Sequence, residues 1–391
     1  MKLVFLSQHM KFSGGRRLHF DYAKYLMSAK HDVSVLVLKD AGELKGYLPV
    51  RTVPAFDSKN IPECDLIVAT TPKDVRLALE SGRGKVVHFC QGYDNIDMEK
   101  RINENIIPPR YQGSGLLYRI TLFRKKMQWR KTLREWEAIY HLPTFLISIS
   151  SHLQDELERR YGRPAPLCRN GIDLKIFQPD KDKICRKFSA GNPMRIINIG
   201  PYDVTYKGIQ TTIEAVKKAK DAGMSIDFMR IAPVASTAEA ALNPSYPVKI
   251  GVSQDEFCSA MRSSDVYISN STDREGFGLP AMEAMASGIV PILSDINCYR
   301  SFSGKSDHCI FVPEGDCDAT FKAIERLYGM PPPEFQIMRE KGIAVSKDFS
   351  FEKSCARFEE LLQSFLSPGY KNTLDRSQAS AAAGGREKQD A

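Results

Sequence analysis

Two glutamates bracket a glycine-rich stretch, Glu275-Gly276-Phe277-Gly278-Leu279-Pro280-Ala281-Met282-Glu283. Gly276 and Gly278 let the backbone approach a ligand closely, and Pro280 suits the first turn of a helix. Glu283 then lies one turn into that helix while Glu275 stays on the loop, so both carboxylates can face one ligand. Carboxylates accept hydrogen bonds from hydroxyl groups. The chemistry in view is recognition of a polyhydroxylated molecule, with the helix N-terminus favouring an anion beside it. The same spacing also fits a glycine-rich turn followed by an amphipathic helix with a capping glutamate.

Smaller groups stand elsewhere. Gly14-Gly15 follows the first apolar run and precedes a helical pattern, a place where a turn or a phosphate cradle can form. His88 ends the run Val86-Val87-His88-Phe89 and reads from local context as a half-buried histidine.

Holding such groups takes regular elements on either side of them. Apolar runs of buried-strand length recur at 3–6, 33–38, 66–69, 86–89 and 145–149, with helical patterns at 17–27, 73–80 and 152–161. The rhythm restarts after a loop around 164–179. Strands then fall at 195–199, 226–231, 248–250, 266–269, 290–293 and 309–312, with helices at 209–220, 254–262, 280–286 and 318–328. A β-then-α rhythm means parallel sheets covered on both faces. Two consecutive doubly wound α/β domains are the economical reading. Helical patterns at 333–346 and 351–366 close the fold. The remainder has almost nothing to bury and is expected to be a disordered tail, 368–391.

Composition excludes several classes. At 391 residues, 42% hydrophobic and 26% charged, the chain has the makeup of globular domains. No eighteen apolar residues run together, so no transmembrane helix is expected, and the opening Met1-Lys2-Leu3-Val4-Phe5-Leu6 reads as a strand rather than a signal peptide. Nine cysteines without a C-x-x-C pair point to reduced, cytoplasmic usage, with neither a disulfide framework nor a zinc site. The net charge of +8 is local. Seven basic residues (Arg119, Arg124, Lys125, Lys126, Arg130, Lys131, Arg134) sit in 116–134 with no acidic one. That concentration, without any nucleic-acid motif, argues against a nucleic-acid partner.

The stretch EGFGLPAMEAMASG resembles the signature of the retaining GT-B glycosyltransferases of family four, the group 1 transferases. Phe12-Ser13-Gly14-Gly15 resembles their N-terminal glycine loop. Asn170-Gly171-Ile172-Asp173, with Phe177 and Pro179, resembles their interdomain segment, and Gly200 with Lys207-Gly208 their phosphate-binding stretch. The resemblance spans about residues 1 to 366. It implies two facing Rossmann-like domains with a central cleft. The acceptor domain would be 1–165 with a helix at 350–367 crossing back, and the nucleotide-sugar domain 166–349. It implies sugar transfer from a nucleotide-sugar donor to a glycan or lipid-linked acceptor, with retention, no metal and no other cofactor, in cell-surface polysaccharide synthesis. Glu275, His88 and Lys207 take the catalytic places. Gly15, Lys207, Glu275, Gly276, Phe277, Gly278, Leu279 and Glu283 take the donor-binding ones. Glu275 would hold the donor-sugar hydroxyls, Glu283 the nucleotide ribose and Lys207 the diphosphate, while His88 at a strand end would face the sugar.

One position departs from that pattern. Pro201 stands where the resemblance calls for an arginine that neutralises the diphosphate with Lys207. Arg16, Arg17, Arg230 or Arg274 could take its place; otherwise the chain is a non-catalytic sugar-nucleotide-binding or scaffold subunit. A dinucleotide-dependent oxidoreductase is disfavoured, because no strand is followed by G-x-G-x-x-G.

Segment 116–134 also carries Leu116, Ile120, Phe123 and Met127 on one helical face, after which the apolar stripe moves to Trp129, Leu133 and Trp136. It is therefore not read as one clean amphipathic helix. Two readings stand: contact with an anionic membrane surface carrying the acceptor, at the inner face of the cell membrane, or a solvated helical excursion whose aromatics pack internally.

Overall fold

The computed structural model describes residues 1–92, 94–103, 116–180 and 185–367. The tail expected at 368–391 lies outside them. The chain divides into two units, one of residues 1–168 together with those from Cys355 on, the other Arg169–Ser354.

The first unit runs β1 (Lys2–His9), α1 (Gly14–Ser28), β2 (Asp32–Lys39), β3 (Arg51–Thr52), β4 (Leu66–Ala69), α2 (Pro72–Ser81), β5 (Lys85–Cys90), α3 (Asp94–Asn103), α4 (Leu116–Ile139), β6 (Phe145–Ser148) and α5 (Ser151–Tyr161). Its strands form a parallel sheet in the order β3-β2-β1-β4-β5-β6. Leu3, Val4, Phe5 and Leu6 are all fully buried, as a parallel strand covered on both faces requires. Ser13 caps α1 by accepting from the Arg16 N–H. Thr71 caps α2, and Pro72 opens it.

The second unit runs β7 (Met194–Ile199), α6 (Ile209–Asp221), β8 (Ile226–Ala232), α7 (Thr237–Ala240), β9 (Val248–Ile250), α8 (Gln254–Ser263), β10 (Val266–Ser269), α9 (Leu279–Ala286), β11 (Val290–Ser294), α10 (Asn297–Arg300), β12 (Ile310–Val312), α11 (Cys317–Gly329) and α12 (Pro332–Ser346). Its parallel order is β12-β11-β10-β7-β8-β9. Ile196, Ile268, Val290 and Ile292 from the sheet bury against Ala215, Val216 and Ala219 of α6 and Ala323, Ile324 and Leu327 of α11. The closing helix α13 (Phe351–Leu366) starts in this unit and from Cys355 belongs to the first. There Phe358 packs on Tyr22 and Phe89, ring centroids 4.6 and 4.8 Å away, and Phe365 stacks on Phe145 at 4.4 Å.

Both sheets reverse their strand order in the middle, at β1/β4 and at β7/β10. Loops leaving the carboxyl ends of strands at such a point diverge and leave room for a ligand. The glycine loop follows β1, residues 200–208 follow β7, and residues 270–278 follow β10.

Segment 116–134 lies within one unbroken helix, α4, and it is not cleanly amphipathic, as its shifting apolar stripe implies. The shift in its apolar stripe marks two environments on that helix. Trp129 is buried against Ile102 of α3, with Tyr118, Leu122 and Leu133 beside it. Ile120, Phe123 and Met127 face solvent, and Phe123 is 65% exposed. The short edge strand β3 and helix α3 have no counterpart among the elements expected from sequence.

Candidate functional site

The loops after β7 and β10 meet because those strands pair side by side, Ile196 opposite Val266 and Ile197 opposite Tyr267. Thr272 N–H donates to the Tyr206 carbonyl at 2.8 Å, tying one loop to the other. Gly208 makes that approach possible. Its φ is +58°, and a Cβ there would sit 2.0 Å from the Asn270 carbonyl oxygen. Asn270 is fully buried and spends its amide on Thr212 and Thr320 at 2.9 and 3.0 Å, which fixes the β10 loop at its root.

In this setting Lys207 Nζ lies 2.6 Å from Glu275 Oε2. Ser271 Oγ donates to the same oxygen at 3.0 Å, and Gly278 N–H donates to Oε1 at 3.2 Å. Behind Ser271 the chain of hydroxyls continues to Ser269 at 3.1 Å and from there to Tyr299 at 2.7 Å. Burial by itself would raise the Glu275 pKa, but the Lys207 charge and these hydrogen bonds outweigh it and hold the carboxyl below its ordinary value. Burial likewise disfavours the Lys207 ammonium, and the Glu275 carboxylate overrides it, raising the lysine above its usual range. The pair is therefore ionised at neutral pH.

Gly278 caps α9 with φ +76°, where a Cβ would meet the Tyr299 ring at 2.4 Å. Leu279 begins the helix, and Glu283 stands one turn in, partly buried. Gly276 is partly buried on the loop. The Phe277 side chain turns inward, between Phe302 and Phe349 at 5.8 Å each, so it braces the loop and leaves only its backbone for a ligand.

Two sequence expectations need correction. His88 does not end its strand, because β5 continues through Cys90. His88 is 1% exposed, its ring 5.1 Å from that of Tyr140, and burial, helped by the Arg163 charge, lowers its pKa to about 3. It is buried in the interior of the first unit, two residues before the end of β5. The residue that reaches the glycine loop is Gln91, just past the strand, whose Cβ would lie 3.2 Å from a Cβ added to Gly15. Its sequence signal was available: a polar side chain directly after a buried run in a parallel sheet.

Arg230 cannot stand in for the arginine lacking at Pro201. It is wholly buried, with Nε on Asn198 Oδ1 at 3.0 Å, Nη1 on Glu239 Oε1 at 2.6 Å and Nη2 on the Gly200 carbonyl at 2.5 Å. This guanidinium holds the start of the 200–208 loop. Arg274 instead lies with its guanidinium carbon 4.6 Å from the Tyr206 ring centroid, and Lys207 Nζ is 5.3 Å from the same centroid. In the first unit, Arg16 Nη1 donates to the Lys11 carbonyl at 2.6 Å, and Arg17 lies 3.8 Å from Asp21. Ser269, Ser271, Tyr206 and Tyr299 were not singled out in the sequence, since their relevance depends on which strand ends adjoin.

Comparison with known proteins finds similar sequences and folds. Residues 193–330 match the family model described as glycosyl transferases group 1. A GDP-mannose:cellobiosyl-diphosphopolyprenol alpha-mannosyltransferase of Xanthomonas campestris is 22% identical over 277 residues, covering 68% of this chain and 70% of that protein. An MMP alpha-(1->4)-mannosyltransferase of Mycolicibacterium hassiacum is 27% identical over 221 residues, 52% of either chain. Among solved structures, sucrose-phosphate synthase from Thermosynechococcus elongatus superposes with a TM-score of 0.69 at 16% identity, covering 93% of this chain and 99% of the other. HepE of Anabaena, in complex with UDP-glucose, gives 0.68 at 15%, covering 93% and 100%. These structures establish the fold as GT-B, with two Rossmann-like parallel-sheet halves, and the chain resembles the group 1 glycosyltransferases.

Proposed function

We propose that this chain, whose second unit is a group 1 glycosyl transferase domain, moves a sugar from a nucleotide-sugar donor to a lipid-linked acceptor with retention at the anomeric carbon. The observation that carries the reading is the ionised Lys207–Glu275 pair where the β7 and β10 loops converge. Departure of a nucleoside diphosphate needs positive charge placed in advance, and Lys207 supplies it. When the diphosphate takes Lys207 as partner, Glu275 Oε2 is released to accept from sugar hydroxyls, with Ser271 keeping its orientation. Glu283, one turn along α9, is assigned to the ribose.

The polyprenyl-diphosphate acceptor named for the Xanthomonas relative supports a lipid-linked acceptor here. The outer face of α4 supports the same reading, because exposed Ile120, Phe123 and Met127 are flanked by basic side chains and suit an anionic lipid surface. Reaction without a metal is part of the proposal, with Lys207 placed to supply the positive charge.

The test is incubation with UDP- and GDP-sugars and a polyprenyl-diphosphate sugar, with product read by mass spectrometry and anomeric configuration by NMR. Transfer with retention that persists in excess chelator is expected. Inversion, or loss of transfer restored by magnesium, would overturn the corresponding part. Pro201 favours a second reading, a nucleotide-sugar-binding subunit without turnover. It predicts tight donor binding with neither transfer nor hydrolysis.

A further inference from the structure

Side chains clamp the loop between β1 and α1. His9 Nδ1 accepts from the Lys11 N–H at 3.2 Å, Glu43 Oε2 accepts from the Phe12 N–H at 2.8 Å, and Arg16 Nη1 donates to the Lys11 carbonyl at 2.6 Å. The chain after β2 closes against the same loop. Met10 N–H donates to the Ala41 carbonyl at 3.0 Å, and Leu44 N–H donates to the Met10 carbonyl at 2.8 Å. Gly42 permits that approach, since its φ is +129° and a Cβ there would sit 2.3 Å from the Lys11 nitrogen. The bond from Phe12 is the main reason the Glu43 carboxyl is held below its ordinary value.

Clamped in this way, the loop spends the Lys11 and Phe12 N–H groups on its own side chains. What it presents to solvent is the Phe12 ring, 44% exposed. Among the described residues of the first unit, the other large apolar side chains so exposed all lie on α4. Burial would stabilise such a ring, but the fixed backbone keeps it outside, at the carboxyl end of β1 where the strand order reverses and open α/β sheets receive ligands. Two donors stand at the base of the loop. Burial, then the charges of Arg16 and Lys11, lower the His9 pKa, so its imidazole is neutral at pH 7. With Nδ1 accepting, the proton sits on Nε2, which has no partner among the described residues. Arg16 is partly buried and uses Nη1 alone, leaving Nε and Nη2 to donate. An aromatic face beside fixed donors matches the two aspects of a pyranose: its polarised C–H bonds pack on the negative ring face, and its hydroxyls accept from the donors. An acyl chain would use the ring and leave the donors unsatisfied.

We propose that Phe12 is a stacking platform for a sugar ring of the acceptor, with His9 and Arg16 donating to that sugar's hydroxyls. The assignment rests on the glycosyl-transfer reading above. Saturation-transfer NMR with the methyl glycosides of glucose, galactose, mannose and N-acetylglucosamine tests it. The wild type gives signals on the protons of one ring face of at least one glycoside. Phe12→Ala weakens that binding about three- to ten-fold, the size of a lost aromatic stacking contact, and Phe12→Tyr keeps it. Glu43→Ala weakens it as well, because the Phe12 N–H is released, and Glu43→Gln restores it through the amide oxygen. Unchanged melting temperatures show that the variants are folded. Signals on none of the glycosides, or equal binding by Phe12→Ala, overturn the platform. Calorimetry with UDP and GDP separates the two failures. A protein that binds a diphosphate but no glycoside loses the platform alone, and one that binds neither loses the nucleotide-sugar reading as well.

Discussion

Glu275 and Lys207 restrain each other at 2.6 Å, so neutralising one changes what the other is free to do. Glu275→Gln leaves Lys207 without its carboxylate. Diphosphate affinity should stay level or rise, while transfer falls by about two to three orders of magnitude, the size seen when a group aimed at the transition state is lost. Glu283→Gln should instead weaken nucleotide binding itself. Calorimetry with the diphosphate alongside initial rates separates the two, and an equal affinity loss for both variants would contradict the division of roles. His88 makes a different kind of prediction. Burial lowers its pKa from 6.5 to about 3. Between those values the unfolded chain holds a proton that the folded chain refuses, so stability falls as the pH drops below about 6.5. His88→Gln removes this term. The stability of wild type minus that of the variant should shrink by about 2 kcal/mol from pH 7 to pH 5 in urea titrations. A pH-independent difference would mean that His88 is not held neutral.

At the scale of elements, α4 divides its two stripes between unlike surroundings. Trp129 and Leu133 pack toward α3, and Ile120, Phe123 and Met127 are left in water beside Arg119, Arg124 and Arg130. Changing the three exposed side chains together to Ser should alter stability by less than about 0.5 kcal/mol per site, because nothing is unpacked. The same variant should lose binding to phosphatidylglycerol vesicles in sedimentation, and salt should release the wild type. A wild type that ignores such vesicles at low salt would leave α4 a solvated excursion.

For the molecule as a whole, the return of α13 closes the first unit. Phe358, from the far end of the sequence, lies among Phe5, Tyr22 and Phe89. Phe358→Ala should cost the first unit about 3–5 kcal/mol, the usual penalty for truncating a buried phenylalanine. Hydrogen exchange resolves the effect by unit: amides of β1, α1 and β5 should exchange faster, and those of β7 and β10 should not. Equal acceleration in both would mean that the two units unfold as one.

Local pattern was enough for the strands and for the carboxylate motif. Parallel strands buried on both faces must be continuous apolar runs, and β4 and β10, buried along their whole length, have the limits that their sequence implies. The glycines at 276 and 278, Pro280 and the two glutamates are contiguous, so their loop-to-helix geometry is also local. What pairs with them is not. Lys207 and Glu275 are 68 residues apart and meet because β10 lies against β7, an adjacency decided by long-range strand pairing and invisible to periodicity. The depth of His88 depended on β5 running two residues further and on Tyr140 covering its ring. Arg230 was removed from the candidates by Glu239, Asn198 and the Gly200 carbonyl, a set assembled from two strands, a loop and a short helix. Residue type and spacing determined which chemistry this chain can carry; the order of strands in its sheets decided which side chains stand together to perform it, because only folding brings distant strand ends to one place.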